Sequence, residues 1–170
     1  DMNKGDPLTL WHCGKAMNDF RLTKNSNRMV QHKKNVYHDS TLVVKSVDHY
    51  QTPSKWSAED SVEDHKKMLD YIKIATENKT KQYVVVTHHA PSPISIAECY
   101  KGDTLMNGAF ASDLDDIIIA HPNIKVWCFG HTHSLIDITV GETRLITNPR
   151  GYAGYEQRVK EFDPSFGFDI

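Results

Sequence analysis

The spacing of apolar positions along this chain changes several times, and each change marks an element. After Leu8, Leu10 and Trp11, the residues Ala16, Met17 and Phe20 recur at helical spacing, which predicts a short amphipathic helix over 14–23. Residues 24–35 are polar and read as loop. Thr41 to Val47 reads as a strand, and 48–57, with Pro53 among turn formers, as a turn. Ser57 with Asp60 three residues on has the form of a capping box. Beyond it Val62, His65, Leu69, Ile72 and Ala75 share one face of a helix over 58–77.

From Tyr83 to Thr87 the β-branched run predicts a strand buried on both faces, as in the centre of an α/β sheet. Residues 90–111 show no period, and a loop of that length in a compact domain is expected to be functional. Ser112 and Asp115 again have capping-box spacing, with Leu114, Ile117 and Ile118 as the buried face of a short helix stopped at His121-Pro122. Ile124 to Phe129 predicts a second buried strand. Leu135 to Val140, the turn Gly141-Glu142, and Arg144 to Thr147 predict a hairpin, and Phe166 and Phe168 a last short strand. The order strand, helix, strand argues for an α/β or mixed layered domain.

Composition narrows the field further. The 170 residues carry 20 Lys+Arg against 22 Asp+Glu, a net charge of -2, so no general positive field gathers phosphates, although a small local cationic site would not show in the total. No apolar run approaches the length needed to cross a bilayer and no signal peptide is evident, which makes the cytoplasm the expected location. Cys13, Cys99 and Cys128 are odd in number and far apart, so neither a disulfide framework nor a Cys-based zinc knuckle is expected. Histidine is the unusual residue. Of the 10 present, His88-His89 and His131-Thr132-His133 form two tight groups, and each comes directly after an expected buried strand. Both groups should therefore emerge along the carboxyl edge of one sheet, where open α/β sheets bind ligands. Neutral imidazole is a common ligand of divalent transition metals, so metal binding is the expected chemistry.

Other metal folds fail on the same letters. A metallo-β-lactamase pattern needs Asp and His where Leu135 and Ile136 stand, the helical zinc-protease pair is absent, and no serine sits in a nucleophile elbow. The segments Val84-Val85-Val86-Thr87-His88-His89-Ala90-Pro91 and Trp127-Cys128-Phe129-Gly130-His131-Thr132-His133, in this order, resemble the C-terminal motifs of calcineurin-like metallophosphoesterases. The stretches Asp6-Pro7-Leu8-Thr9, Ala16-Met17-Asn18-Asp19-Phe20-Arg21 and Asn148-Pro149-Arg150-Gly151-Tyr152 are similar to a single-domain subgroup from bacteria and phages.

That resemblance implies a four-layer α/β/β/α sandwich with residues 1–170 as the C-terminal portion of one domain. It implies hydrolysis of a phosphomonoester or phosphodiester at two divalent ions, manganese first, with iron, zinc or nickel as alternatives, and a metal-bound hydroxide as nucleophile. His89 and His131 would bind the second metal and His133 the first. His89 is preferred over His88 because it stands two positions before Pro91. His88, Asn148 and Arg150 would face substrate. The family's N-terminal motifs, D-x-H, G-D-x-x-D and G-N-H-D/E, are absent, since Gly5-Asp6 and Gly102-Asp103 both lack the second Asp. The remaining ligands would then lie outside this chain, on a complementary N-terminal segment, and the chain alone would be inactive or nearly so. Two other readings stay open: a non-catalytic subunit holding at most one metal, and a mononuclear zinc hydrolase with Asp137 as its base.

Overall fold

A computed structural model describes residues 1–38 and 43–170, and the chain folds as two units: Asp1–Cys13 together with Ala58–Ile170, and Gly14–Ser57. In the first unit, α1 (Met2–Gly5) is a single turn whose Asn3 and Lys4 have φ of 54° and 61°, the left-handed region. It lies against α5 (Thr104–Phe110) at Gly108, where an added Cβ would stand 2.8 Å from Thr9 Cγ2 and 3.0 Å from the Asn3 backbone nitrogen. Only glycine permits that approach. Asp6 starts α2 (Pro7–Ala16): its carboxylate accepts from the Thr9 N–H and hydroxyl, both at 2.8 Å, and Pro7 takes the first helical position.

The single helix expected over 14–23 is two. Met17 is extended (φ -87°, ψ 137°) and separates α2 from α3 (Asn18–Leu22). The Asp6-Pro7 start signal places the first helix upstream, and Met17 and Phe20 are buried after the break instead of along one helical face.

The second unit overturns two further expectations. Residues 24–35 are not loop and 48–57 are not turn: β1 (Lys24–His38) and β2 (Val43–Lys55) form one long antiparallel ribbon, with Gln31 opposite Gln51, His32 opposite Tyr50 and Asn35 opposite Val47. A two-stranded ribbon has no sheet face that must be apolar, so the hydrophobic alternation that signals a strand is missing. Pro53 is accommodated because each strand of a ribbon keeps one open edge, and it pairs with Met29 next to an irregularity between Asn25 and Met29. Of the strand expected from Thr41, residues 41–42 lie outside the described residues.

After the ribbon, α4 (Ala58–Ala75) forms as expected, two residues shorter than the pattern suggests. Its end is held by Asn123, whose side-chain amide donates to the Thr76 carbonyl at 2.7 Å. The main sheet contains β3 (Tyr83–Val86), β4 (Ile124–Cys128), β5 (Ile136–Val140) and β6 (Thr143–Thr147), in the order β3-β4-β6-β5. β3, β4 and β6 are parallel, and β5 returns antiparallel to β6 as the expected hairpin. Val85, Trp127 and Leu145 from three strands pack with Leu114 and Ile118, with Leu69 and Ile72 of α4 against them. Burying this apolar area is the main stabilising term of the unit.

β3 is not the doubly buried central strand that its β-branched run suggests. It lies at the sheet edge, with Val85 9% exposed but Val84 38% and Val86 74%. Segment 90–111 holds two 3-10 turns, Pro93–Ser95 and Glu98–Tyr100, and then α5. The expected capping box at Ser112 does not cap α6 (Asp115–Ala120), whose N-cap is Leu114 without a side-chain bond; His121 is its C-cap, as expected. Phe166 and Phe168 are not in a strand. The observed architecture is mixed α/β with two sheets, and no helix among the described residues is long and apolar enough to cross a membrane.

Candidate metal centre

β3 and β4 are parallel neighbours, so the residues after each strand emerge at the same carboxyl edge. Two backbone bonds continue the pairing past the strands, Thr87 N–H to Cys128 O at 3.0 Å and Gly130 N–H to His88 O at 3.0 Å. The Thr87 hydroxyl accepts from the Trp127 indole at 2.9 Å and donates to His89 O at 2.9 Å. A buried core residue thereby fixes the turn that carries both His88 and His89.

At the end of β4 the chain turns sharply. Thr132 N–H bonds Gly130 O at 2.7 Å, and His131 and His133 both adopt left-handed backbone, with φ of 63° and 48°. A non-glycine residue in that region costs on the order of 1 kcal/mol or more, and such strain concentrates at functional sites. The turn sends the two histidines into different surroundings. His131 joins His88 and His89, and one ring nitrogen from each of the three lies within 4.8 Å of the others. His131 Nδ1 and His88 Nε2 are 3.1 Å apart, the His89 and His131 ring centroids are separated by 4.5 Å, and Phe110 of α5 lies 4.5 Å from the His131 ring. His133 instead points Nδ1 at both Glu156 carboxylate oxygens, at 3.0 and 3.1 Å, with Tyr152 edge-on at 4.8 Å.

Although the residue is exposed to solvent, burial of part of His89, followed by the proximity of His131 and His88, draws its pKa down to about 3. The imidazole is therefore neutral at physiological pH, the form that binds metals. Three clustered imidazoles suit one borderline transition metal, and no carboxylate among the described residues joins the group. The cluster fits a single divalent ion without a bridging oxygen ligand to hold a second. At His133 the carboxylate partner places the proton on Nδ1 and leaves Nε2 as the lone-pair donor, an arrangement typical of metal-ligating histidines.

The structure therefore groups His88 with His89 and His131, rather than setting His88 apart on the substrate side, and it separates His133 from them. Asn148 is tied on both sides to Asp163, its amide donating to the carbonyl at 2.6 Å and its oxygen accepting from the N–H at 3.2 Å. Arg150 lines an open hollow of about 550 Å³ with Gly151, Tyr152 and Tyr155. Gly151, at φ 65°, lets Glu156 reach His133, because any Cβ there would collide with the Glu156 carboxylate. Asp137 is no base for the histidines. Its two oxygens hold Arg144 at 2.7 and 2.6 Å, which keeps its carboxyl below the usual range.

Sequence reasoning missed Glu156 and Phe110. Each lies in a stretch without apolar period, and Glu156 is 23 residues from its histidine.

No family model matches the chain, and no solved structure matches it. It is similar to an uncharacterized protein of Acanthamoeba polyphaga mimivirus, 26% identical over 166 residues that make up 94% of this chain and 49% of that protein. The chain thus spans about half the length of the curated relative it matches.

Proposed function

We propose that this chain carries the histidine portion of a metal-dependent phosphoesterase centre of the calcineurin-like type, and that the intact protein hydrolyses a phosphomonoester or phosphodiester. The observation that carries the reading is the convergence of His88, His89 and His131 at the carboxyl edge of two parallel strands, with His131 in strained backbone. When bound, divalent ions lower the pKa of water and neutralise charge on a phosphoryl group. His88, His89 and His131 would hold the ion, and Glu156 holds His133 by Nδ1, which would leave Nε2 to bond substrate. Phe110 packs on the His131 ring. Arg150, at the rim of its hollow, supplies a planar cation for a phosphate oxygen.

In this reading the mixed sheet is one of the two inner layers of a four-layer sandwich. A complementary segment supplies the other, together with the carboxylates that a second ion requires. The open edge of β3, where Val84 and Val86 are exposed, is where such a segment would pair. The all-imidazole donor set also supports the narrower reading that this chain by itself holds one ion and does no catalysis.

Elemental analysis after manganese or zinc loading, with a phosphatase assay on the same samples, tests both. Expected is about one equivalent and no turnover for this chain, and two equivalents with turnover for a longer form of the protein. Absence of stoichiometric metal from both would overturn the proposal, and rapid turnover by this chain alone would overturn the idea that its site is partial.

A further inference from the structure

The near-neutral total charge hides a segregation. Unit Gly14–Ser57 contains eight Lys and Arg against three Asp, a net +5, whereas the rest of the chain has twelve against nineteen Asp and Glu, a net -7. The positive excess sits on and beside the β1–β2 ribbon, where Lys24, Arg28, Lys33, Lys34 and Lys55 are all exposed. At its base Lys24 stands directly opposite Lys55. Like charges facing each other across a strand pair are destabilising until an anion neutralises them.

Alternation sorts the ribbon into two faces. One carries Gln31 opposite Gln51, Lys33 opposite His49 and Asn35 opposite Val47: amides, a cation, an imidazole and one valine, with no carboxylate. The polar groups of that face can donate to or accept from a base edge, or bond a phosphate. The other face is braced by the His32–Tyr50 stack, with centroids at 5.1 Å and planes 18° apart, and by His32 Nε2 at 2.8 Å from the Thr52 hydroxyl. Arg28 is likewise held across the ribbon, donating to the Ser54 hydroxyl at 2.9 Å and the Lys55 carbonyl at 3.2 Å. Between its irregularities the ribbon keeps unbroken register from Met29–Pro53 to Val36–Ser46, a length of about 25 Å. A two-stranded ribbon of that kind fits the major groove of B-form DNA, about 12 Å wide, whereas the deep, narrow major groove of duplex RNA excludes it.

We propose that the β1–β2 ribbon is a duplex-DNA-binding arm: Lys24, Arg28 and Lys55 contact backbone phosphates at its base, and the Gln31, Gln51, Lys33 and Asn35 face enters the major groove. This proposal is independent of the metal-centre reading and needs no metal.

Fluorescence anisotropy of a labelled 24-base-pair duplex, titrated with the full chain, tests it. With the phosphates at Lys24, Arg28 and Lys55 neutralised, Kd is expected to rise roughly fortyfold between 50 and 200 mM salt. K33E/K34E should weaken binding at least tenfold. K66E/K81E, the same charge change outside the ribbon, should leave it within twofold. K24Q/K55Q is the variant that a folding defect cannot imitate, since it relieves a like-charge pair, and it is expected to keep or raise the Tm while weakening DNA binding. The proposal is overturned if no binding is seen at 50 mM salt, or if K66E/K81E is as damaging as K33E/K34E. Equal affinity for duplex RNA or for anionic vesicles would also overturn it, as would a ribbon-dependent dimer without DNA binding, which would make the acidic unit of a second copy the partner.

Discussion

The two units of this chain solve the strand problem in opposite ways. The unit with the four-stranded sheet is held by what it hides: Trp127 and Leu145 of the sheet and Ile118 of α6 are at most 1% exposed, and the buried hydroxyls of Thr143 and Thr147 donate to the Ile124 and Ser134 carbonyls. Among the described residues between Lys24 and Lys55 only Ser54 is buried, and the ribbon depends on its backbone ladder and cross-strand pairs. Burial scales with apolar area, whereas a ladder exchanges bonds to water for bonds to itself at a small net gain. The first region is consequently sensitive to single core substitutions and the second tolerant of them. The chemistry divides similarly, with neutral imidazoles set at the edge of a packed sheet in one unit and exposed cations on an extended arm in the other.

The largest difference between the two units is expected in the core. Trp127→Ala should cost about 3–5 kcal/mol in chemical denaturation. It also removes the indole that positions Thr87 and thus the His88-His89 turn, so metal uptake should fall with stability. A milder loss would show that this core is no better packed than the ribbon.

Acid should separate the units next. Burial draws His65 down to about 4 and His89 to about 3, so both stay neutral in the folded chain while the unfolded chain's histidines charge below about 6.5. The unfolded state then binds more protons, and stability falls as pH drops from about 6.5 toward 4, with no loss from this source above 7. Thermal denaturation across that range should show the decline, and His65→Gln should flatten it.

Gly151→Ala probes the site without touching the main core. A side chain at φ 65° and in collision with Glu156 should cost about 1–2 kcal/mol and release His133 from its carboxylate. The His133 ring resonances should shift by NMR while those of His88 and His89 hold. The smallest effect is expected in the ribbon. Tyr50→Ala removes the stack on His32 and should cost about 0.2–1 kcal/mol locally, leaving the main unfolding transition in place.

The histidine groups were legible in the sequence because each comes directly after an apolar strand. Two parallel neighbours deliver their next residues to one shared edge, which is why His88, His89 and His131 meet. That His133 leaves them could not be read from its spacing, since the outcome depends on φ 48° at His133 and 63° at His131 and on Glu156 arriving from a segment without pattern. Apart from the strand expected at 43–47, the ribbon was illegible for a related reason: periodicity reports a buried face, and among the described residues of its two strands only Ser54 is buried.

Local patterning was enough to place the long helix after Ser57, the β4 strand, the β5–β6 hairpin and the two histidine groups at strand ends. In each, local spacing and burial point the same way. Long-range packing was needed to make β3 an edge strand and a polar stretch containing Pro53 a ribbon, to commit Asp137 to Arg144, and to pair His133 with Glu156. Each of these depends on which distant segment comes alongside, and a short-range hydrophobic pattern does not encode the identity of that neighbour.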